Sequence, residues 1–423
     1  MKGKAKSKKK TKIISDNSIL SAVDVGKDDN YASFFLPDNR EINRIKFSNT
    51  KEGFNTFWTQ ALIIMKRYRL DQVVIGYEST GSYGIPFVHY FSHKPNVKLV
   101  QVNPLHTKKA REIVGNSPGK TDKKDPGVIA TIIRLGRWLS VVIPKGTAAE
   151  LRSLASAREG HLKDYRNLSN RLHSLVCEIF PEFDKNLGTS SKTALKLLQE
   201  YTTPEEIINL GLEELIKKVR SYSRGMLEES VSRSLYKGAK ESVGIKEGLR
   251  SKVMHIKQIM AQINKLDGFI KEIEIQMVEL LKEIPYSKNL LSIKGIGNIT
   301  VAVVIGEIGD LREFSCQSEV IKMAGLDLYE ISSGKHKGKR RITKRGRSLL
   351  RKMLYYAALN TVKKGRIMHK EYQRLINSGM IKNKALIAVA KKLLKIMFAM
   401  VRDDAGFIED YKGNNITGFK KVA

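Results

Sequence analysis

The sequence predicts a mixed α/β sheet domain followed by helical regions. Three observations predict it: residues 16–145 alternate strand-type and helix-type patterns, residues 146–285 repeat apolar residues at helical spacing, and residues 286–410 are helical and strongly basic. The chain has 423 residues, enough for two or three domains at roughly 150 residues each. Its hydrophobic content of 41% is ample for buried cores.

The strand and helix signals of the first domain follow a defined order. Apolar, β-branched runs bounded by turn residues predict five strands, at 18–25, 31–36, 42–47, 72–78 and 97–102. Amphipathic patterns predict four helices, at 51–68, at 85–93, from about Pro104, and at 126–135. Three early strands followed by helix, strand, helix, strand and helix are the element order of an RNase H-like fold, a mixed sheet with helices on its faces.

Two long apolar seams dominate the middle region. They span 151–179 and 249–284, and a proline follows each of them. Apolar steps of three and four residues with charged residues between them are typical of a coiled coil. Between the seams, Thr203, Pro204 and Glu206 mark the start of a shorter helix. The seams could pair with each other as an antiparallel hairpin or with a second protomer; both remain open, and self-association is favoured.

The chain is strongly basic. Its 76 Lys and Arg against 43 Asp and Glu give a net charge of +33, so we expect a polyanionic partner, nucleic acid first and an anionic membrane surface second. Residues 1–15 form a lysine tail, either a phosphate-binding arm or a solubilising extension, and 411–423 form a second tail.

No secretory signal or membrane-length apolar run is found, which predicts a cytoplasmic protein. Cys177 and Cys316 lack CxxC spacing, which excludes a disulfide framework and a zinc-cysteine site.

Positive charge is concentrated in the last region. Residues 331–370 hold fourteen Lys or Arg and no Asp or Glu. A solvated helix face usually mixes both signs, so this long single-sign field favours phosphate binding. The candidate nucleic-acid ligands in this stretch are Lys335, Lys337, Lys339, Arg340, Arg341, Lys344, Arg345 and Arg347.

A glycine turn opens the last region. Gly295 and Gly297 lie between a short helix pattern and a second one, an order that resembles a helix-hairpin-helix element. Such glycines permit a tight turn whose backbone N–H groups can approach a phosphate, assisted by the N-terminus of the second helix. A plain packing corner between two helices is the alternative.

Four carboxylates of the first domain form a candidate metal site. Asp24 lies near the end of the first strand and Glu78 at the end of the fourth, and these strands should lie side by side; Asp122 and Asp125 lie at the entrance of the last helix. Mg²⁺ prefers a few carboxylates together with substrate phosphate oxygens, and two such ions can clamp a phosphodiester during displacement. Without a metal, four clustered acids would repel one another. For any single acid, a turn or helix-capping role is the alternative, notably for Asp125 before Pro126.

Two sets of motifs support a family resemblance. AVDVGK, YESTGSYG and KTDKKDPGVIA resemble the three blocks of the DEDD-type insertion-sequence transposases, which have a RuvC-like N-terminal domain. The second set is Gly325-Leu326, Ser333-Gly334, Lys344-Arg345-Gly346 and Leu350-Arg351, which resembles the serine-bearing C-terminal transposase domain of the same family. Two departures are Pro126, where the family commonly has a small residue, and the missing proline after Gly325-Leu326.

The resemblance implies specific roles. Asp24, Glu78, Asp122 and Asp125 would bind Mg²⁺, and Ser333 would be the catalytic serine, with Ser332 as the neighbour that could be mistaken for it. The implied activity is transposition or site-specific recombination of DNA, guided by a bridge RNA and proceeding through a covalent phosphoserine.

The implied assembly is a homo-oligomer, a dimer or a tetramer, joined through the coiled coil. The acids of one protomer would meet the serine of another, and the protein would be nucleoid-associated in a bacterium or archaeon. The expected domains are a tail (1–15), a RuvC-like domain (16–145), a coiled-coil region (146–285), a transposase domain (286–410) and a tail (411–423). The alternatives are a RuvC-like Holliday-junction-type nuclease that uses only the acids, and a non-enzymatic RNA-binding scaffold.

Overall fold

The computed structural model describes residues 13–78, 81–115, 125–330, 338 and 340–408. The chain divides into two compact units, Met1–Ile143 and Pro144–Ala423. The first unit is a mixed α/β sheet domain and the second is largely helical. The predicted combination of a mixed N-terminal sheet with a helical remainder is therefore confirmed.

A six-stranded mixed sheet organises the first unit, with strand order β3-β2-β1-β4-β5-β6. Strands β1, β4 and β5 run parallel, whereas β2, β3 and β6 are antiparallel to their neighbours. The strands are β1 (Ser18–Val25), β2 (Asp29–Phe35), β3 (Glu41–Ser48), β4 (Gln72–Glu78), β5 (Val97–Val102) and β6 (Trp138–Ser140). The helices are α1 (Lys51–Tyr68), α2 (Gly84–Ser92), α3 (Pro104–Gly115) and α4 (Asp125–Arg134).

The predicted elements of this unit are confirmed, and β1 lies beside β4 as expected. Thr50 caps α1 by accepting a hydrogen bond from the Gly53 N–H group, which fixes its start. One strand was not predicted, because the three residues of β6 are too few to show an alternating pattern. β6 pairs antiparallel with β5 and forms one edge of the sheet.

Each face of the sheet buries a separate core. On one face, aromatic rings from the strands and from α1 and α2 pack against each other, among them Phe34, Phe57 and Phe91. On the other face, α4 packs its apolar side chains, including Ile129 and Ile133, against the sheet. Because the sheet is covered on both sides, its central strands are almost continuously buried.

The close approach of α4 to the sheet depends on Gly76 in β4. A Cβ atom built on Gly76 would lie 1.9 Å from Cδ1 of Ile133 and 3.5 Å from Cγ2 of Val100. A side chain at this position would therefore force the side chain of Ile133 to repack. Ile133 lies on α4, which begins at Asp125, so this contact is part of the packing that holds α4 against the sheet.

The second unit is built mainly of helices. They are α5 (Thr147–Ile179), α6 (Pro181–Leu187), α7 (Lys192–Glu200), α8 (Pro204–Leu210), α9 (Leu212–Tyr222), α10 (Glu229–Lys240), α11 (Leu249–Lys282), α12 (Ser287–Leu291), α13 (Asn298–Ile308), α14 (Gln317–Met323), α15 (Ser348–Thr361), α16 (His369–Asn377) and α17 (Lys382–Arg402). A short hairpin of β7 (Leu328–Tyr329) and β8 (Arg341–Ile342) interrupts the helical series. The predicted start of α8 is confirmed, since Thr203 and Glu206 form a capping box.

The two long helices α5 and α11 pack against each other within the chain. Arg158 donates to Glu274, and near the other end Lys252 donates to Glu178, so the pair is antiparallel. The chain therefore adopts the hairpin pairing that the sequence left open. More helices connect the pair than the sequence suggested, since α6 to α10 all lie between α5 and α11.

The α5–α11 pair joins two hydrophobic cores. At one end, Leu172 and Ile256 lie in a core shared with α6 to α10. At the other end, Leu151 and Met277 lie in a core shared with α13, α15 and α17. The expected division between 146–285 and 286–410 thus falls inside this compact unit. Within the described part of the chain, no helix is long and apolar enough to cross a membrane.

Gly76→Ala should destabilise the first unit by roughly 1–3 kcal/mol, because the new methyl group overlaps Ile133. Denaturant unfolding followed by tryptophan fluorescence measures this selectively, since both tryptophans, Trp58 and Trp138, belong to the first unit. Gly127→Ala is the matched control, because a Cβ atom there meets no atom within 4 Å. Equal unfolding midpoints for the two variants would contradict the packing argument.

Candidate functional site

Two carboxylates meet at the carboxyl ends of neighbouring parallel strands. β1 and β4 pair in register up to Val23 and Tyr77, so Asp24 and Glu78 lie one residue further along each strand. Because side chains alternate along a strand, Asp24 lies on the same side of the sheet as Ala22, and Glu78 on that of Gly76. This is the face covered by α4. The sequence prediction that these two acids share one crevice agrees with this register.

A third carboxylate reaches the same place from α4. Asp125 is the first residue of this helix and is only 2% exposed. A buried carboxylate is costly unless charged or polar partners surround it. Asp122 precedes α4 in the sequence but lies outside the described residues.

Arg111 of α3 supplies the cation that these acids require. Its Nε donates to Oδ1 of Asp125 at 2.7 Å, and its Nη2 donates to Oδ2 at 2.6 Å. The same Nη2 lies 3.8 Å from Oε2 of Glu78. The hydrogen bonds to Asp125, followed by the charges of Asp125, Glu78 and Asp24, raise the pKa of the Arg111 guanidinium above its ordinary value. The guanidinium thus pairs directly with Asp125 and, at longer range, with Glu78, while Asp24 acts on it only through its charge.

This donor set fits a divalent metal. Carboxylate oxygens such as those of Asp24, Glu78 and Asp125 are hard ligands of the kind Mg²⁺ selects, although in this structure the oxygens of these three acids do not all lie within 4.8 Å of one another. Arg111 supplies the positive charge among these acids through its bidentate ion pair with Asp125. Sequence reasoning missed Arg111, because it follows Lys108 and Lys109 on an amphipathic helix and nothing in the pattern distinguishes it.

The second predicted site belongs to the β7–β8 hairpin. Gly325 precedes β7 with a φ of 65°, and the Gly325 oxygen accepts from the Lys344 N–H group. Arg351 donates from Nη1 to the Ala324 oxygen at 2.9 Å. A Cβ atom on Gly346 would lie 2.3 Å from the Met323 oxygen, so the chain on both sides of the hairpin is closely packed. These contacts give the Gly325, Lys344-Arg345-Gly346 and Arg351 motif residues a structural role.

The segment between β7 and β8 carries the candidate serine. Ser332, Ser333, Lys335, Lys337 and Lys339 all lie outside the described residues.

The described cations beside this segment divide into two groups. Arg340, Arg341, Lys344 and Arg345 are exposed, and Arg340 pairs with Glu330 at 2.8 Å. Arg347 is different: its side chain is 18% exposed, and it donates to the backbone oxygen of Glu307. Burial lowers the pKa of Arg347 to about 10. Arg347 therefore contributes to the core of this unit and presents little surface to a phosphate.

The glycine turn has the predicted order of short helix, turn and second helix, as α12 and α13. Gly295 has a φ of 103°, which favours glycine. Gly297 is the N-cap of α13 in extended conformation, where other residues fit equally well. A Cβ atom on Gly295 would lie 3.6 Å from Nη1 of Arg366, so an exposed basic segment, Lys363, Lys364 and Arg366, lies beside this turn.

Together, these features define a class of protein. A mixed sheet that gathers acids at the ends of its parallel strands, in a chain of net charge +33, is consistent with the DEDD, RNase H-like enzymes that cut nucleic acids. Two family models match the chain. Residues 22–181 match the DEDD transposase model of IS110 elements, described as "Transposase", and residues 287–373 match "Transposase IS116/IS110/IS902 family". The chain belongs to the IS110 family of insertion-sequence transposases, which act on DNA, cleave and rejoin it, and typically use a divalent metal.

Individual relatives agree with this assignment. The uncharacterized 43.6 kDa protein of insertion element IS110 from Streptomyces coelicolor is 24% identical over 69% of this chain and 74% of its own length. The uncharacterized 44.8 kDa protein of IS116 from Streptomyces clavuligerus is 25% identical over 67% of this chain and 72% of its own. The uncharacterized 42 kDa protein of IS900 from Mycobacterium paratuberculosis is 24% identical over 68% of this chain and 72% of its own length.

Arg111→Ala should destabilise the metal-free first unit by roughly 3 kcal/mol, because Asp125 then remains buried without its cation. Millimolar Mg²⁺ or Mn²⁺ should recover a large part of this loss by binding the same acids. Tryptophan-monitored unfolding in chelator and in metal measures both effects. Lys109→Ala, an exposed residue of the same helix, is the matched control. A loss that metal does not recover would contradict the charge-compensating role of Arg111.

Proposed function

We propose that this chain catalyses Mg²⁺-dependent cleavage and exchange of DNA strands, with a serine as the nucleophile and a bridge RNA as the guide. The proposed metal dependence is supported by the arrangement of the acids: Asp24 and Glu78 lie at the ends of neighbouring strands, and Arg111 pairs with Glu78 and Asp125. Arg111 forms ion pairs with two of these acids, Asp125 and Glu78, and the third, Asp24, is close enough to act on it by its charge. Asp122, from the same motif, is the proposed fourth ligand.

The acids and Arg111 have complementary roles in this proposal. Asp24, Glu78 and Asp125 would hold the metal, which supplies Lewis-acid stabilisation of charge on a DNA phosphate. Arg111 would then be free to turn its planar donor groups from Asp125 towards a DNA phosphate. A phosphate group, like a carboxylate, can accept two parallel hydrogen bonds from a guanidinium.

The proposed chemical step uses Ser333. Its Oγ forms a bond to the DNA phosphorus while the bond from phosphorus to the leaving deoxyribose oxygen breaks. The proton of the hydroxyl is lost to a base or to water, and the leaving oxygen takes up a proton. Attack by the hydroxyl end of another strand then releases the serine and rejoins DNA. A serine hydroxyl is a weak nucleophile, and the cations close to it in sequence would stabilise the charged transition state.

Basic surfaces of the second unit would hold the nucleic acids. Arg340, Arg341, Lys344 and Arg345 are exposed around the β7–β8 hairpin, and Lys363, Lys364 and Arg366 are exposed beside Gly295. We assign phosphate contacts of the DNA and of the bridge RNA to these two groups. The lysine tail, 1–15, would add to this binding, and a steep salt dependence should follow.

The proposed assembly is a homo-oligomer, a dimer or a tetramer, in which acids and serine come from different protomers. The α11 helix supports this, because Met254 and Ile275 remain 58% and 65% exposed although the opposite side of the helix packs on α5. Apolar side chains along a long helix are suited to a second copy of the same helix. The protein would act in the cytoplasm, associated with nucleoid DNA.

The nucleophile can be identified by trapping the adduct. In a recombination reaction on DNA carrying the element's own ends, wild-type protein should form a covalent protein–DNA band on a denaturing gel. Ser333→Ala should lose this band and strand exchange completely, whereas Ser332→Ala is the matched control and should keep both. Asp24→Asn should lose all cleavage. If Ser333→Ala still cleaves DNA fully, the acid-only nuclease is correct and the serine proposal is wrong.

The guide RNA can be tested on the purified protein. Its ultraviolet spectrum should show an excess at 260 nm that RNase removes and DNase does not. Joint substitution of Lys363, Lys364 and Arg366 by Ala should weaken RNA retention and flatten its salt dependence, because each lost phosphate contact removes about 0.9 from the logarithmic salt slope on a duplex and about 0.7 on a single strand. Recombinant protein that is active yet carries no RNase-sensitive material would contradict the bridge-RNA proposal.

A further inference from the structure

A cluster of three metal-ligating side chains lies in the second unit and has no role in the proposed transposition site. His173 and Cys177 lie four residues apart on α5, so they project from the same face of the helix. The chain reverses at Phe180 and enters α6, which places Asp184 beside them. The ligand atoms of these three residues all lie within 4.8 Å of one another.

The distances are close to those that a tetrahedral metal requires. With metal–ligand bonds of about 2.0–2.3 Å, neighbouring ligand atoms of a zinc site lie roughly 3.4–3.6 Å apart. Here Sγ of Cys177 lies 3.8 Å from Nδ1 of His173, and that nitrogen lies 3.2 Å from Oδ1 of Asp184. Sγ lies equally 3.8 Å from Nε2 of His173, and its distance from the Asp184 carboxylate is bounded only by the 4.8 Å limit of the cluster. Metal binding would therefore require rotation of the Cys177 side chain and of the imidazole ring.

The carboxylate is already oriented by a further residue. The N–H group of Thr189 donates to Oδ1 of Asp184 at 2.9 Å, and the hydroxyl of Thr189 lies 3.1 Å from the same oxygen. Ligating carboxylates are usually fixed by such hydrogen bonds. A carboxylate has about four acceptor positions. Because Thr189 and His173 both contact Oδ1, the ion would bind the other oxygen, Oδ2. The side chain of His173 is 50% exposed, which gives an ion access from solvent.

We propose that His173, Cys177 and Asp184 form a binding site for a divalent transition metal, with Zn²⁺ as the preferred ion and water as the fourth ligand. One nitrogen, one sulfur and one oxygen form a mixed donor set that suits Zn²⁺ and not Mg²⁺. The ion would tie the end of α5 to α6, next to the core that these helices share with α11. The lack of CxxC spacing excludes a site with several cysteines, whereas this set needs only one.

A reactive cysteine is the competing interpretation. Burial, and secondarily the charge of Asp184, raises the pKa of the Cys177 thiol above its ordinary value. A reactive cysteine normally has a lowered pKa in a positive environment. The charge that acts on the Cys177 thiol is the carboxylate of Asp184, and not the cation that activates a reactive cysteine.

Cobalt titration of the full-length protein tests the site directly. Stoichiometric Co²⁺ should produce a thiolate-to-cobalt charge-transfer band in the near ultraviolet. Cys177→Ser should abolish this band, and His173→Gln should weaken it. Cys316→Ser, the other cysteine of the chain, should leave it unchanged. The acids around Arg111 contain no sulfur, so Co²⁺ bound there gives no such band. A band that persists in Cys177→Ser would overturn the assignment.

A second measurement does not depend on altering the site. In the Cys316→Ser protein, Cys177 is the single remaining thiol, and its reaction with a disulfide reagent can be followed alone. One equivalent of Zn²⁺ should slow this reaction by about tenfold or more, because a metal-bound thiolate is no longer a free nucleophile. An unchanged rate at saturating Zn²⁺, with no cobalt band, would show that the three residues bind no metal.

Discussion

The close packing of α4 against Gly76 is the constraint on which the candidate site depends. The absence of a side chain at this position lets Ile133 approach the backbone of β4, and α4 can then begin directly above the ends of β1 and β4. Asp24 and Glu78 are positioned by strand register, whereas Asp125 is positioned by this helix–sheet distance. The three acids therefore meet because one pair of strands and one helix are fixed by the same core.

Charge balance explains how a site of this kind exists in a protein with 76 Lys and Arg. Asp125 is buried and carries a bidentate partner, while Glu78 lies at a longer distance from the same guanidinium. The cation is thus held by the protein itself, on a helix that is separate from both strands. A site that already contains a positive charge can exchange it for a metal without leaving its carboxylates uncompensated.

The sequence predicted most of the first unit because its signals are local. Strand alternation, the helix of 51–68 and the acids near the carboxyl ends of β1 and β4 all follow from short patterns. Arg111 could not be predicted, because its role depends on the contact of α3 with α4 and not on any neighbour in sequence. Arg347 could not be assigned either, since a cation in a basic stretch gives no sign that it is buried against Glu307.

The cluster of His173, Cys177 and Asp184 depends on the chain reversal at Phe180, which sequence spacing does not reveal. The pairing of α5 with α11 was one of two open alternatives, because an apolar seam does not specify its partner.

The antiparallel pair of α5 and α11 has a consequence for the geometry of the second unit. Helices of 33 and 34 residues extend roughly 50 Å at 1.5 Å per residue, with one hydrophobic core at each end. The length of the pair thus sets the distance between the two hydrophobic cores. Removal or addition of one heptad in both helices would keep the apolar seam in phase and change the separation of the two cores by about 10 Å. The reach of this unit can therefore vary without any change to either core.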